Sequence, residues 1–374
     1  MNPMEDSWMI LTPDGGQVII PRSKTANSNQ ARVVGEKMKA SLGMLLSVVL
    51  ISGVLCVSTC GTAQASEDFT FFAIGDPQVN LVKWGTAGTE ATIDVMNQLP
   101  GRPFPAGGVV EEPRGVLVLG DLVDDVRNPA NWVRYKELFD VRGGGRLRYK
   151  VYELLGNHDL GGEPGNEGFN SLQREFIERN RSRTDSFHYD PHGYHYSWDW
   201  GRVHFVNLSV FPGNESRPVY DRVAAWNDPR QSLDFLRADL AERVGDSGRP
   251  VVLSWHYGLE GWGLEKWWTV QDLENLKRTI QPYHVVLILH GHEHAYKRYE
   301  WEGYDVVMAP APQVDPVEAR GEKEGRPEGF LVVRFEGDRM DVAHWMAGDW
   351  REHWSKSIVR SVEMGKRGSD EGRE

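Results

Sequence analysis

Cysteine is almost absent from this chain: two residues in 374, Cys56 and Cys60, both near the amino end. A disulfide-stapled scaffold is thereby excluded for everything beyond residue 60, where no thiol remains to pair. Positive charge is also short, with 42 Lys and Arg against 54 Asp and Glu and a net charge of −12. A field of that sign repels polyanions and disfavours nucleic acid as a partner. No segment repeats at a fixed period, which excludes a solenoid or propeller. Long apolar runs are missing as well, with one exception between Met44 and Val57.

That run, MLLSVVLISGVLCV, follows Lys37 and Lys39 and leads to Ala63-Gln64-Ala65. A basic start, a short apolar core and small residues before a cut after Ala65 form the pattern of a secretory signal. The run is shorter than the roughly 20 residues a spanning helix needs, so no stable membrane span is expected once it is removed. Met38 begins a signal of ordinary size, and residues 1–37 read as an extended n-region or a misassigned start, since nothing in MNPMEDSWMILTPDGG continues a fold. Cys60 permits a lipid anchor, but Thr59 before it fits that reading poorly. The expected outcome is an exported protein, periplasmic or extracellular, whose mature part has no thiol and cannot rely on disulfides. Residues 66–362 form the expected domain, and the charged, glycine-bearing stretch 363–374 reads as a disordered tail.

From Phe69 onward, short runs rich in Val, Leu, Ile and aromatics alternate with stretches of helical spacing. Strands are predicted at 69–75, 116–120, 149–156, 251–255 and 285–291, and helices at 89–99, 129–139, 171–179, 230–243 and 270–280. Three later pairs read as hairpins: 194–201 with 203–210, the two halves of 296–310 closing at Gly303, and 330–337 with 340–345. Alternation of this kind predicts an α/β fold whose carboxyl half is richer in antiparallel strands.

Each of the five predicted strands ends in polar residues of metal-binding type. They are Gly75-Asp76-Pro77-Gln78, Gly120-Asp121-Leu122-Val123-Asp124, Gly156-Asn157-His158-Asp159, Trp255-His256 and Gly291-His292-Glu293-His294. In an α/β sheet the loops beyond the strand carboxyl ends converge on one edge, so residues distant in sequence can meet there. Any one string is weak, because Gly-Asp pairs are common in turns and Asn157-His158-Asp159 could equally cap a helix. Together they supply carboxylate, amide and imidazole donors in a fixed order, which points to bound metal.

In that order Asp-x-Gln, Gly-Asp-x-x-Asp, Gly-Asn-His-Asp, a lone His and Gly-His-x-His resemble the signature of calcineurin-like metallophosphoesterases. The resemblance implies a four-layer α-β-β-α sandwich of two mixed sheets flanked by helices. It also implies one metal held by Asp76, Gln78, Asp121 and His294, and a second held by Asp121, Asn157, His256 and His292, with Asp121 bridging. His158 would lie beside the substrate with Asn157 and bind no metal, and Asp159 would orient its imidazole. Asp124 and His290 read as residues that back the ligands without binding metal. The family's first motif usually has Asp-x-His. The amide oxygen of Gln78 is a harder, weaker donor than imidazole, which favours manganese or iron among Mn, Fe, Mg and Zn.

The resemblance implies a hydrolase that cuts phosphate monoesters with hydroxide activated by two metals, the substrate being a small molecule or a phosphoprotein. A phosphodiesterase acting on cyclic nucleotides, nucleic acid or phospholipid headgroups is the alternative on the same fold. A protein that binds metal or phosphate without turnover is a third reading. The segment Tyr257 to Trp268, directly after His256, reads either as a wall over the metals or as a packing loop.

Overall fold

The structure is a computed structural model that describes residues 7–11, 17–21, 68–160, 167–183, 187–213, 229–261, 264, 267–313 and 329–360. The chain divides into two compact units, Met1–Thr62 and Ala63–Glu374. In the first, β1 (Ser7–Leu11) pairs antiparallel with β2 (Gln17–Pro21). The sequence reading places no element there. Both segments, SWMIL and QVIIP, are rich in the apolar residue types that strands favour. The expected signal core, both cysteines, the cut after Ala65 and the tail from Glu363 lie outside the described residues.

The second unit holds two mixed sheets. In one, β3 (Phe69–Ile74), β4 (Pro113–Leu119) and β5 (Val151–Leu154) run parallel. The hairpin strands β13 (Gly329–Glu336), β14 (Arg339–Met346) and β15 (Asp349–Ser357) extend it antiparallel, in the order β15-β14-β13-β3-β4-β5. The other sheet is built from β6 (His188–Tyr189), β7 (Tyr196–Trp200), β8 (Val203–Asn207), β9 (Pro250–Ser254), β10 (His284–His290), β11 (Lys297–Trp301) and β12 (Tyr304–Met308). Its order is β11-β12-β10-β9-β8-β7-β6, with β8, β9, β10 and β12 parallel.

Strand side chains alternate between two interiors. Phe71 and Ala73 of β3 and Leu117 and Leu119 of β4 pack with Phe205, Val252, Leu287 and Leu289 to form the layer between the sheets. Aromatic pairs cross that layer, Phe71 with Phe205 at 5.5 Å edge to face and Tyr152 stacked on Trp198 at 4.6 Å. The intervening residues, such as Phe72, Ile74, Val116, Val251 and Leu253, turn outward onto helices. These helices are α1 (Ala87–Gln98), α2 (Pro129–Leu138), α4 (Glu167–Arg181), α5 (Ser232–Asp239) and α6 (Val270–Ile280), with the short turn α3 (Asn157–Leu160) before α4. The result is the α-β-β-α sandwich implied by the motifs. Each large apolar side chain buried in it contributes roughly 1.5–3 kcal/mol relative to exposure.

In the second unit two strands escape the sequence reading. β15 is an edge strand with only Trp354 buried, so it carries no alternation to detect. β6 has two residues, too few for any periodicity. The helix expected over 230–243 is α5 followed by a π-helical turn, Leu240–Val244.

Candidate metal centre

The polar clusters after β3, β4, β5, β9 and β10 do converge, and the convergence is tight enough to dictate glycine. A Cβ on Gly120 would stand 2.5 Å from His256 Nδ1 and 2.9 Å from the Cα of Gly156. One on Gly156 would overlap both the side chain and the backbone nitrogen of Asp121. Neighbouring residues take up the strain of bending the chain so sharply. Asp76, Gln78, Asp121, His292 and His294 have φ of 47°, 39°, 50°, 82° and 59°, a region that costs non-glycine residues of order 1–3 kcal/mol each. Backbone amides from one loop hold the carboxylates of another. His292 N–H donates to both oxygens of Asp76, at 3.0 and 2.8 Å, and His158 N–H donates to Asp121 Oδ1 at 2.9 Å.

His256 is fully buried and donates from Nδ1 to the Leu119 carbonyl at 2.8 Å, which turns Nε2 toward the carboxylates. Nε2 faces Asp121 Oδ1 at 3.3 Å and Asn157 Oδ1 at 3.1 Å. Ring nitrogen and oxygens gathered on one point are what a cation requires in place of a proton. Asp121, His256 and His292 can each bring a donor atom within 4.8 Å of the others, and so can Asp76, Asp121 and His294. Asp121 belongs to both groups. Gln78 sits beside them, its amide nitrogen 3.2 Å from Asp121 Oδ2. An amide rotated end for end would present oxygen there instead. Hard carboxylate and amide oxygens mixed with imidazole nitrogens suit divalent or trivalent ions such as Mn, Fe or Zn.

The electrostatics agree with that fit. Burial, and more weakly the Asp121 charge, push the Asp76 carboxyl up to about 6 despite the pull of His294 and His256. For Asp121, burial is outweighed by His256 and His158, which hold it well below the usual carboxylate range. Burial opposes charge on His256 too, yet Asp121 beside it raises that ring to about 9. His292 is driven well down by burial and by His256. Protons here occupy positions that cations can take over.

His158 lies at the margin, its side chain 37% exposed and its Nε2 3.9 Å from Asp121 Oδ2. Its Nδ1 donates to the Asp124 carbonyl at 2.8 Å, and the Asp121 charge raises its pKa against burial. The expectation that Asp159 orients this ring is corrected by the geometry. Asp159 is fully buried and spends its carboxylate on three backbone donors, Leu122 N at 3.1 Å, Val123 N at 3.1 Å and Gly156 N at 2.8 Å. It ties the Asp121 loop to the Asn157 loop, while Asp124 sets the His158 ring through its main chain.

Asp124 itself points away from the donor cluster, gripped by Asn80 Nδ2 at 2.6 Å and Lys83 Nζ at 2.7 Å. His290 turns behind Gly291, donating from Nδ1 to that carbonyl at 2.8 Å and accepting the Tyr299 hydroxyl at Nε2 at 2.8 Å. Burial lowers it to about 4, so it is neutral support for the turn that carries His292. His195 does not reach the cluster; it accepts from Ser209 N–H and donates to the Arg230 carbonyl. The described residues of the segment after His256 are packed. Tyr257 and Trp267 are buried and stacked at 4.7 Å, and the Trp267 indole N–H reaches His292 Nε2 at 3.0 Å. Sequence reasoning missed Trp267, Asn80 and Lys83 individually, because none belongs to a spaced motif. Their proximity to His256 and Gln78 was the one available signal.

Fold and donor cluster together define a hydrolase acting on phosphoric ester bonds. The chain belongs to the calcineurin-like phosphoesterase family, whose model matches residues 69–296. Its fold is similar to that of a dimetal phosphatase from Danio rerio, with 15% identity and a TM-score of 0.51 over 78% of this chain and 99% of that one. It is similar also to GAP50, the anchor in the inner membrane complex of Plasmodium, with 12% identity and a TM-score of 0.51 over 78% and 90%. No curated protein sequence matches this chain.

Proposed function

We propose that this protein is an exported phosphomonoesterase with two metal positions, acting on small-molecule or protein-borne phosphate. The observation that carries the reading is Asp121, shared by two donor groups and bordered by the partly exposed ring of His158. Asp76, Gln78, Asp121 and His294 would hold one ion; Asp121, Asn157, His256 and His292 would hold the other. Two such ions acidify water and draw charge from phosphoryl oxygens. The chain's own residues supply the rest. Asp121 keeps both ion positions adjacent, and Asn157 and His158 line the substrate side. His158, with Nδ1 fixed on the Asp124 carbonyl, holds a proton at Nε2 for the leaving oxygen. Gln78 in place of imidazole favours manganese or iron.

Support for export comes from the basic, apolar and small-residue succession ending at Ala65. Among the described residues no helix is long and apolar enough to cross a membrane. Turnover of p-nitrophenyl phosphate and of its bis ester, with Mn, Mg, Fe and Zn supplied separately, tests the activity. Faster cleavage of the monoester with Mn or Fe is expected, and preference for the bis ester would replace the monoesterase reading with a diesterase. Sequencing the amino end of the exported protein tests the cut, which is expected after Ala65.

A further inference from the structure

Directly after β8 the chain forms a short strap, residues 208–211, in which all four residues are fully buried. Within it Val210 has a φ of 65°. That left-handed conformation is uncommon for any residue but glycine and is a true outlier for a β-branched one, whose Cβ crowds the backbone there. Such strain persists only where the surroundings fix it. The bonds that fix it here join the two sheets. Val210 N–H donates to the Leu155 carbonyl at 2.7 Å, while the Val210 carbonyl accepts two successive amides, those of His256 at 2.9 Å and Tyr257 at 3.1 Å. In extended backbone the N–H and carbonyl of one residue point to the same side. The left-handed twist turns them toward different sheets.

Leu155 directly follows β5 and stands two residues before Asn157, and His256 stands two residues beyond β9. One residue of the strap thus ties together the loops that carry two donors of the second metal position, one loop from each sheet. Ser209 doubles the tie. Its Oγ accepts the Leu155 N–H at 3.1 Å and donates to the Tyr194 carbonyl at 2.8 Å, so the strap holds both backbone groups of Leu155. Ser209 N–H donates to His195 Nδ1 at 3.1 Å, and His195 Nε2 donates to the Arg230 carbonyl at 2.8 Å. At that far anchor Arg230 and Gln231 are left-handed as well, with φ of 52° and 61°. Phe211 completes the strap with ring contacts to Tyr257 at 5.4 Å and Trp268 at 5.0 Å.

We infer that this strap sets the second metal position before any ion arrives, by holding the Asn157 and His256 loops at a fixed separation. Val210 and His195 are its positioning residues, and both act through backbone hydrogen bonds. The strain at Val210 is what aiming one residue at two sheets costs. The inference rests on the two-metal reading, though not on which ester is cut.

Hydrogen exchange of the full wild-type chain, followed by mass spectrometry in chelator and in Mn2+, reads the strap without any variant. Peptides covering 208–211 and 255–257 should exchange in chelator as slowly as those from β9, with little further slowing in Mn2+. Fast exchange there in chelator, slowed only by Mn2+, would mean that the ion orders the strap, and overturns the inference. Calorimetric titration of the chelator-stripped chain with Mn2+ gives a second reading, wild type against His195→Phe and His195→Asn. The phenyl ring fills the space but cannot accept the Ser209 N–H, so one of the two Mn2+ affinities should fall roughly two- to tenfold while the other holds, the worth of one hydrogen bond. The amide oxygen of asparagine can stand where Nδ1 does, and His195→Asn should bind both ions as the wild type does. Two ions bound by His195→Phe with unchanged affinities, or with both affinities lowered alike, overturn the strap and leave the two-metal reading standing. A wild-type chain that takes up fewer than two Mn2+ overturns that reading and the strap with it.

Discussion

At the carboxyl end of β5, His158 leaves its ring open beside Asp121 while Asp159 turns inward to take three backbone donors. Adjacent residues should therefore fail in different ways. His158→Ala is expected to fold and to keep its metal content while turnover of p-nitrophenyl phosphate drops by about two to four orders of magnitude. Asp159→Asn removes the charge and offers its amide nitrogen to groups that need an acceptor, so it should cost about 3 kcal/mol or more in urea denaturation. Full turnover in the first variant, or unchanged stability in the second, would contradict these assignments. The donor residues were legible beforehand because residue type, order and position after each strand are all written in the sequence. The direction of a carboxylate is not. Whether Asp159 faces the imidazole before it or the amides beneath it depends on how two loops dock, and no local pattern records that.

The strand ends show the same division between what periodicity carries and what it omits. Buried parallel strands such as β4 and β10 are continuous apolar runs and declare themselves, whereas β15, nearly all exposed, has nothing to declare. A glycine stands before four of the five donor clusters, where the chain must turn sharply after a strand. The structure adds that Gly156 is also a contact surface for the Asp121 loop. Because the atoms a methyl would meet there include backbone, they cannot swing aside. Gly156→Ala should push the Asp121 and Asn157 loops apart, costing about 1–3 kcal/mol in thermal unfolding. It should also lower metal content, since Asp121 serves both donor groups. Normal metal stoichiometry by elemental analysis in a destabilised Gly156→Ala protein would show that the loops separate without disturbing the donors. The segment Tyr257 to Trp268 reads in the sequence either as a cover over the metals or as a packing loop, and its buried rings place Tyr257, Trp267 and Trp268 in packing.

Beyond residue 60 no cysteine is present, so cross-links cannot hold the two sheets together, and stability rests on the core and on what binds at the edge where the strands end. That edge makes stability depend on pH in a way that metal should reverse. In the metal-free protein Asp76 is raised to about 6, Asp159 to about 7 by burial and by Asp121, and His256 to about 9. Unfolded values are near 4 for the carboxyls and 6.5 for the ring. Each folded value is raised, so each group's contribution is complete below its unfolded pKa and is lost as pH rises through the folded one. The windows run from about pH 4 to 7 for the carboxyls and from about 6.5 to 9 for His256. Asp121, held low, acts in the opposite sense in stronger acid, and His290, His292 and His344, all pushed down by burial, act in that sense below about pH 6.5, so the clean window lies above it. His204, clasped between Asp199 and Asp239 at 2.7 Å on each side, is raised as well, but its partners are outside the donor groups and metal leaves it alone. Cations bind the deprotonated forms of Asp76 and His256, so metal removes the penalty that rising pH imposes on the empty site. Thermal unfolding between about pH 6.5 and 9 should then show a falling Tm in chelator. The gap between Mn2+-loaded and chelated protein should widen as pH rises, and the slope that persists in the loaded protein should flatten in His204→Gln. A gap that stays constant or narrows with pH would mean that the ions do not replace these protons, and the donor groups assigned to them would have to be redrawn.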